Sequence, residues 1–199
     1  MEQNVSFAEN VVLIDAAFLN EIVSKSRSFL EGKIGRTLPP LDLVGWLECL
    51  ALDAGIQTAD NDMQIILVHG ESCHTLKHCE PSELDNLDGK ACRTAVGEMA
   101  FQCVTPARIT NPEELFLDLM TLALDAKEVK RLLLVSFQPL YGDKVEGGLR
   151  RFFKGKEEKE WEKAVYFTLE KPVEPVGFRW ELVFFSLGHA LGIEPDELK

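Results

Sequence analysis

The sequence predicts a three-layer α/β/α sandwich around a mostly parallel sheet of about five strands. Short, continuous apolar runs of β-prone residues recur at positions 11–14, 65–68 and 132–135, and such runs are typical of strands buried on both faces. Between the runs, apolar residues return at helical spacing. With 199 residues, 46% hydrophobic and 27% charged, the chain has the length and composition of one globular domain spanning residues 1–199.

The first strand is predicted over residues 11–15, where four apolar residues precede Asp15. From Ala16 the apolar residues follow helical spacing, which predicts a helix of about four turns. Pro39 and Pro40 interrupt the pattern, because proline cannot continue a helix. Asp42 can cap a second helix, which Gly55 is expected to end.

The middle of the chain contains two more predicted strands separated by a long loop. The second strand covers residues 63–70, and the third covers residues 98–109 and is stopped by Pro106. The segment 71–91 is rich in Cys, His, Pro, Ser and Asp, which predicts a loop with a short helix around residues 83–87.

The second half repeats the alternation of helix and strand. Asn111 followed by Pro112 is typical of a helix start, with the asparagine as the N-cap. The remaining predicted elements are a strand over 130–137, a loop through Pro139 and Gly142, a helix over 143–154 and a strand over 164–169. Strands that alternate with helices in this way predict a parallel sheet covered on both faces.

A final apolar helix is predicted over residues 178–191. Its apolar residues cover nearly the whole circumference, more than packing on one sheet face requires. One interpretation is deep burial between the sheet and neighbouring helices, which is usual for a helix that is apolar all round. The other is that part of the helix is the contact surface of a homodimer.

The charge and the cysteine content narrow the class of protein. Lys and Arg number 21 against 33 Asp and Glu, and the formal net charge of -12 opposes a broad electrostatic contact with a polyphosphate.

The start of the chain has no basic residue followed by an apolar stretch, so we expect a cytoplasmic protein. No apolar run approaches the ~20 residues of a membrane-spanning helix, so no membrane contact is expected. The five cysteines are expected to be free thiols.

Residues that follow the predicted strands are the candidates for chemistry, because ligands of open parallel sheets bind beyond the carboxyl ends of the strands. Asp15 stands out among them. A carboxylate at the end of a first strand can hold a divalent metal ion. The alternative is that Asp15 caps the following helix.

Five residues carry a resemblance to a known family. Asp15 ends Val11-Val12-Leu13-Ile14-Asp15, Asn20 follows it at a displaced position, Glu114 and Asp118 lie four apart on one helix face, and Ser136 directly follows a strand. Together with the order of the predicted elements, these residues resemble the NYN branch of the PIN-like nuclease domains. The resemblance covers a core over residues 10–170, followed by a C-terminal apolar helix over residues 178–192.

The resemblance implies a PIN-like, Rossmann-like fold with Mg²⁺- or Mn²⁺-dependent ribonuclease or weak RNA-binding activity. It implies Asp15, Glu114 and Asp118 as catalytic residues, Asp15 and Glu114 as metal ligands, and Asn20 and Ser136 as substrate-binding residues. RNA is the partner that the family implies, although the net charge opposes it.

The family usually shows serine, glycine and aspartate after the fourth strand, and only Ser136 matches. The chain is therefore interpreted as a divergent member, similar also to bacterial families of unknown function with degenerate motifs. The alternative function is a noncatalytic protein-interaction module that keeps the scaffold without the nuclease chemistry.

Two further stretches contain side chains that are typical of ligand-binding sites. Cys73, His74, His78 and Cys79 have zinc-ligating side chains, but the spacing lacks a Cys-x-x-Cys unit and favours an ordinary polar loop over a zinc site. Residues 150–156 place four cations around two phenylalanines, a composition found at nucleic-acid surfaces. For this stretch the favoured interpretation is that one phenylalanine packs into the core while the cations lie at a helix end.

Overall fold

The computed structural model describes residues 6–107, 109–172, 176–194 and 196–197. Residue 108, near the end of the predicted third strand, lies outside this part. The first half contains, in order, β1 (Asn10–Asp15), α1 (Ala16–Ile34), β2 (Leu41–Asp42), α2 (Leu43–Asp53), β3 (Asn61–Val68), β4 (Cys79–Glu80), α3 (Leu84–Leu87), β5 (Ala91–Thr94) and β6 (Gly97–Val104). The second half contains α4 (Pro112–Asp125), β7 (Arg131–Val135), α5 (Gln138–Phe153), a 3₁₀ helix (Glu158–Lys163), β8 (Ala164–Thr168), β9 (Arg179–Leu182) and α6 (Val183–Ala190).

Within the described part of the chain, seven strands form the central sheet in the order β5-β6-β3-β1-β7-β8-β9. All neighbouring pairs are parallel except β5 with β6, which is antiparallel. The parallel strands therefore follow the order third, second, first, fourth, fifth, sixth, which is that of doubly wound nucleotide-binding folds. The order reverses between β1 and β7, so their carboxyl ends mark the crevice of the sheet.

Helices cover the sheet on both faces, and this confirms the predicted α/β sandwich. Side chains of α1, α2, α3 and α6 pack with Val12, Ile14 and Ile65 on one face. Side chains of α4 and α5 pack with Leu13, Ile66 and their neighbours on the other. β1 is buried along its whole length, as its uninterrupted apolar run predicts.

Local capping signals predict several helix ends well. Asp15 caps α1 and Asp42 caps α2, each accepting a backbone hydrogen bond. Asn111 and Glu114 form a capping box at the start of α4, in which each side chain accepts a bond from the other's backbone N–H. These caps confirm the predicted starts of all three helices.

The number of strands and the start of the last helix differ slightly from the prediction. The sheet has seven strands instead of about five, because the antiparallel edge strand β5 and the edge strand β9 add to it. Residues 179–182 of the predicted final helix form β9, which pairs in parallel with β8, and α6 begins only at Val183. A short apolar run does not distinguish a strand from a helix, and here the free edge of β8 determines which one forms.

The start of α5 was also predicted wrongly. Pro139 and Gly142 lie inside α5 and not in a loop before it, and the helix has a non-helical residue at Tyr141. Proline is compatible with the first turn of a helix, where its missing N–H would have no partner. The irregular backbone at Tyr141 belongs to the site described below.

Gly97→Ala is expected to destabilise the protein by about 2–4 kcal/mol, because two costs add. Gly97 begins β6 with a φ of +132°, and an added Cβ would clash with the backbone of Asn61 in β3. Urea unfolding followed by circular dichroism measures the change. The matched control is Gly89→Ala, where φ is +70° and the space around the added Cβ is open, so that only the backbone cost of about 1 kcal/mol applies. Equal losses in the two variants would contradict the predicted clash.

Candidate functional site

The carboxyl ends of β1 and β7 bring Asp15 and Ser136 side by side. Ile14 is the register partner of Val135, so the residues that follow these two are neighbours across the parallel pair. Helices α1 and α5 start directly beyond them. Two of the five predicted site residues thus lie at the point where the strand order reverses.

Asp15 is buried, with 3% of its surface exposed, and both of its carboxylate oxygens accept hydrogen bonds. Oδ1 accepts from the backbone N–H of Phe18 at 3.0 Å, and Oδ2 accepts from the Tyr141 hydroxyl at 2.6 Å. Burial raises the pKa of the Asp15 carboxyl, although the bonds from Tyr141 and Phe18 act in the opposite direction. Burial and the adjacent Asp15 charge raise the pKa of the Tyr141 hydroxyl, which keeps it a hydrogen-bond donor.

Ser136 forms a second buried polar pair beside the first. Its hydroxyl lies 2.7 Å from the hydroxyl of Tyr166 in β8. Burial raises the pKa of Tyr166 to about 12, so the tyrosine is neutral at physiological pH. The sequence-based search for site residues did not find Tyr141 or Tyr166, yet both tyrosines of the chain lie in this cluster. Tyr141 follows the end of β7, whereas Tyr166 lies within β8, so only Tyr141 had a local signal in the sequence.

Glu114 and Asp118 do not join this buried cluster. Glu114 is exposed and its Oε2 accepts a bond from the backbone N–H of Asn111 at 3.3 Å, as part of the capping box of α4. Asp118 is exposed one turn further along the same helix. The structure therefore gives Glu114 a capping role, whereas Asp15 combines a capping role with burial.

Asn20 holds the loop that contains the cysteine and histidine residues. Its side-chain Oδ1 accepts from the backbone N–H of Lys77 at 2.5 Å, and its Nδ2 donates to the carbonyl of Thr75 at 3.1 Å. The contact attaches the loop to α1. In this structure Asn20 therefore orders a segment of the protein itself.

Among the described residues, no three His, Cys, Asp or Glu side chains come together in a group that could hold a metal ion. Of the two predicted metal ligands, Asp15 lies at the strand ends and Glu114 lies in the capping box of α4. In the cysteine and histidine loop, burial raises the pKa of the Cys79 thiol to about 12, which opposes the thiolate form that zinc binds. His74 lies 3.6 Å from the exposed Asp85.

Residues 150–156 lie at the other end of α5. Phe153 is buried, which confirms the prediction that one of the two phenylalanines packs into the core. The Lys156 ammonium lies 3.3 Å from the centroid of the Phe152 ring, and Arg150 pairs with Glu146.

A second candidate site is an apolar surface formed by α1 and α6, called here the α1–α6 surface. Phe184 lines both of the depressions on this surface. The groove on the α1 side has a volume of about 250 Å³. The cavity on the α6 side has a volume of about 720 Å³. The groove is lined mainly by Phe18, Ile22, Phe29, Pro139 and Leu169, and the cavity mainly by Phe185, Gly188, His189 and Ile193.

Large side chains of the α1–α6 surface remain in solvent. Phe185 is 71% exposed and Phe29 is 57% exposed. The apolar residues of the predicted final helix therefore divide into a buried set and an exposed set. Val183 and Leu187 are buried against the core, whereas Phe185 points away from it. Sequence spacing could not separate these two sets, because both are apolar.

Comparison with known proteins places the chain in one family. A family model described as "Family of unknown function (DUF6621)" matches residues 4–198. Neither the curated proteins nor the solved structures give a significant match. Within the described part of the chain, no helix has the length and apolar character needed to cross a membrane.

Proposed function

The chain belongs to DUF6621, a family of unknown function, and we propose that it is a noncatalytic protein-interaction module. The observation that carries the proposal is the α1–α6 surface, where the exposed side chains of Phe29 and Phe185 each line one of two apolar depressions. Contiguous apolar surface of this kind marks interaction sites in soluble proteins. Exposed aromatic side chains next to pockets are typical of the residues that dominate binding energy.

The binding partner of the α1–α6 surface is expected to be a protein. The two depressions are lined mainly by apolar side chains of two helices, and an apolar groove of this kind suits a helical segment with an apolar face. The polar cluster at the strand ends supports a noncatalytic role, because both Asp15 oxygens and the Glu114 carboxylate already accept hydrogen bonds from the protein.

Selection from a random peptide library tests the proposed surface. The wild-type chain is expected to enrich peptides with aromatic or aliphatic residues at helical spacing. Phe29→Ser and Phe185→Ser are each expected to weaken the binding of an enriched peptide by about tenfold or more, because both truncate anchors of the surface. Titration followed by fluorescence anisotropy gives the Kd of each variant.

The matched control is Leu122→Ser, which changes a side chain that is 49% exposed on α4, outside the α1–α6 surface. This variant is expected to bind the peptide as the wild type does. Failure to enrich any peptide, or equal binding by all three variants, would contradict the proposal.

A metal-dependent ribonuclease stays a second candidate, favoured by the place of Asp15 at the reversal of strand order. Incubation of labelled single-stranded RNA with Mg²⁺ or Mn²⁺ tests it. The interaction module predicts no cleavage by the wild type. Metal-dependent cleavage that disappears in Asp15→Asn would overturn the noncatalytic proposal.

A further inference from the structure

We infer that the groove on the α1 side of the α1–α6 surface, called here the α1 groove, binds a tyrosine side chain of the protein partner. The inference rests on the proposed function and names the residue of the partner that enters this groove. It follows from the hydroxyl of Ser26, from the apolar walls around that hydroxyl and from the contacts that hold the walls.

Ser26 supplies the polar group of the α1 groove. It lines the groove and is 8% exposed. Within the described part of the chain its hydroxyl makes no hydrogen bond, whereas the hydroxyl of Ser24 on the same helix donates to the carbonyl of Asn20. Among the described residues, Trp161 Nε1 is the one fully enclosed side-chain nitrogen or oxygen without a partner. The Ser26 hydroxyl is therefore open to the groove and can bond a ligand there.

The other walls of the α1 groove favour an uncharged aromatic group. They are mainly the apolar side chains of Phe18, Ile22, Phe29, Pro139, Leu169 and Phe184. The two charged residues of the lining, Glu21 and Lys25, pair with each other at 2.6 Å, so neither calls for a charge on the ligand. The volume of about 250 Å³ is below that of pockets for drug-sized ligands, about 300–1,000 Å³, and suits one side chain.

Contacts between three elements hold the walls of the α1 groove in place. The Gln138 side-chain oxygen accepts from the backbone N–H of Leu169 at 2.8 Å, which ties the first turn of α5 to the end of β8. Asp15 accepts from the backbone N–H of Phe18 and from the hydroxyl of Tyr141, and thereby joins α1 to α5. The groove is therefore formed without a ligand, and a preformed site loses less free energy on binding.

Hydrogen-bonding capacity selects tyrosine among the aromatic side chains. A serine hydroxyl both donates and accepts, and so does a phenol, whereas an indole only donates. A phenylalanine in the groove would cover the Ser26 hydroxyl without bonding it, and such a loss of hydration is costly. The core of this chain contains the same kind of pair, since the hydroxyls of Ser136 and Tyr166 lie 2.7 Å apart among buried residues.

NMR titration of the full chain with p-cresol and with toluene tests the groove, because these molecules are the side chains of tyrosine and phenylalanine. Both are expected to shift amide signals of α1. Ser26→Ala is expected to weaken the binding of p-cresol relative to that of toluene by about two- to tenfold, because it removes one hydrogen bond. The matched control is Ser28→Ala, which changes an exposed serine of the same helix outside the lining of the groove. This variant is expected to bind both molecules as the wild type does.

Peptides from the library selection test whether the phenol belongs to a protein. The enriched peptides are expected to contain a tyrosine. Replacing this tyrosine by phenylalanine is expected to weaken binding to the wild type by about two- to tenfold and to leave binding to Ser26→Ala nearly unchanged. Fluorescence anisotropy gives the four Kd values, and circular dichroism verifies that Ser26→Ala is folded.

Two results would overturn the tyrosine site. One is a ratio of p-cresol to toluene affinity that is the same in the wild type and in Ser26→Ala, and the other is peptide binding that depends on neither a tyrosine nor Ser26. The interaction module stands in both cases if Phe29→Ser and Phe185→Ser still weaken peptide binding. Binding of p-cresol through Ser26 without enrichment of any peptide overturns the interaction module and, with it, the tyrosine of a protein partner.

Discussion

Asp15→Ala is expected to lower the free energy of unfolding by about 2–4 kcal/mol, because two losses add. The variant removes the N-cap of α1, and it leaves the buried Tyr141 hydroxyl without its acceptor. Asp15→Asn is the matched control. Its amide oxygen can still cap the helix and its amide nitrogen can donate to the Tyr141 oxygen, so we expect a loss below about 1 kcal/mol. Urea unfolding followed by circular dichroism measures both variants.

The effect of pH distinguishes the carboxylate from its amide replacement. Burial raises the folded-state pKa of Asp15 above the ordinary value of 3.8, so in this range the folded protein binds more protons than the unfolded chain. The contribution of Asp15 to the free energy of unfolding therefore falls as pH rises from 3.8 through the folded-state pKa. As pH rises above 3.8, the free energy of unfolding of Asp15→Asn is therefore expected to increase relative to that of the wild type.

Added Mg²⁺ distinguishes an Asp15 that binds a metal ion from an Asp15 with a purely structural role. If the carboxylate is a metal ligand, added Mg²⁺ stabilises the wild type and not Asp15→Asn, because only the folded wild type binds the ion. The hydrogen bonds to both Asp15 oxygens predict the same melting temperature with and without Mg²⁺ in both proteins. A shift confined to the wild type would contradict the purely structural role of Asp15.

Trp46→Ala is expected to lower the free energy of unfolding by about 3–5 kcal/mol, the largest effect predicted for this chain. Trp46 is fully buried in α2, and its indole Nε1 donates to the Ser186 hydroxyl in α6 at 3.1 Å. Truncation to alanine opens a cavity between α6, which forms part of the α1–α6 surface, and the rest of the core. Far-UV circular dichroism in urea measures the loss without relying on tryptophan fluorescence.

Trp46→Phe is the control for the cavity. Ser186 keeps its bond to the carbonyl of Val183, and phenylalanine refills most of the volume, so the expected loss is about 1–2 kcal/mol. Hydrogen exchange gives a second readout, because the amides of α6 are expected to exchange faster in Trp46→Ala than in Trp46→Phe. A loss of less than about 1 kcal/mol in Trp46→Ala would contradict the anchoring role.

Elements with strong local signals were predictable from the chain. The apolar run before Asp15 and the Asn111-Pro112 helix start both appear in the structure as expected. The segment over residues 178–182 was not predictable, since its apolar residues satisfy both helical and strand packing. Its pairing with β8 depends on which edge of the sheet is free, and that is a property of the assembled sheet.

The candidate sites were likewise predictable from the sequence only in part. Asp15 was identified because a carboxylate at the end of a buried strand is visible in the sequence, together with its alternative as a helix cap. The cap is observed. Its second partner, Tyr141, lies 126 positions away along the chain, and no local pattern connects the two residues. The two depressions around Phe184 were likewise invisible, because α1 and α6 meet only after the sheet has formed.

Hydrophobic period and capping chemistry act between residues within a few positions of each other. They were therefore sufficient to identify the α/β class, most of the buried strands and the starts of three helices. The order of the strands decided that Asp15 faces Tyr141 instead of Glu114, and the packing of α6 on α2 decided that Phe185 faces solvent while Leu187 is buried. Such contacts depend on burial and on partners distant in the chain, and these become defined only when the layers pack together.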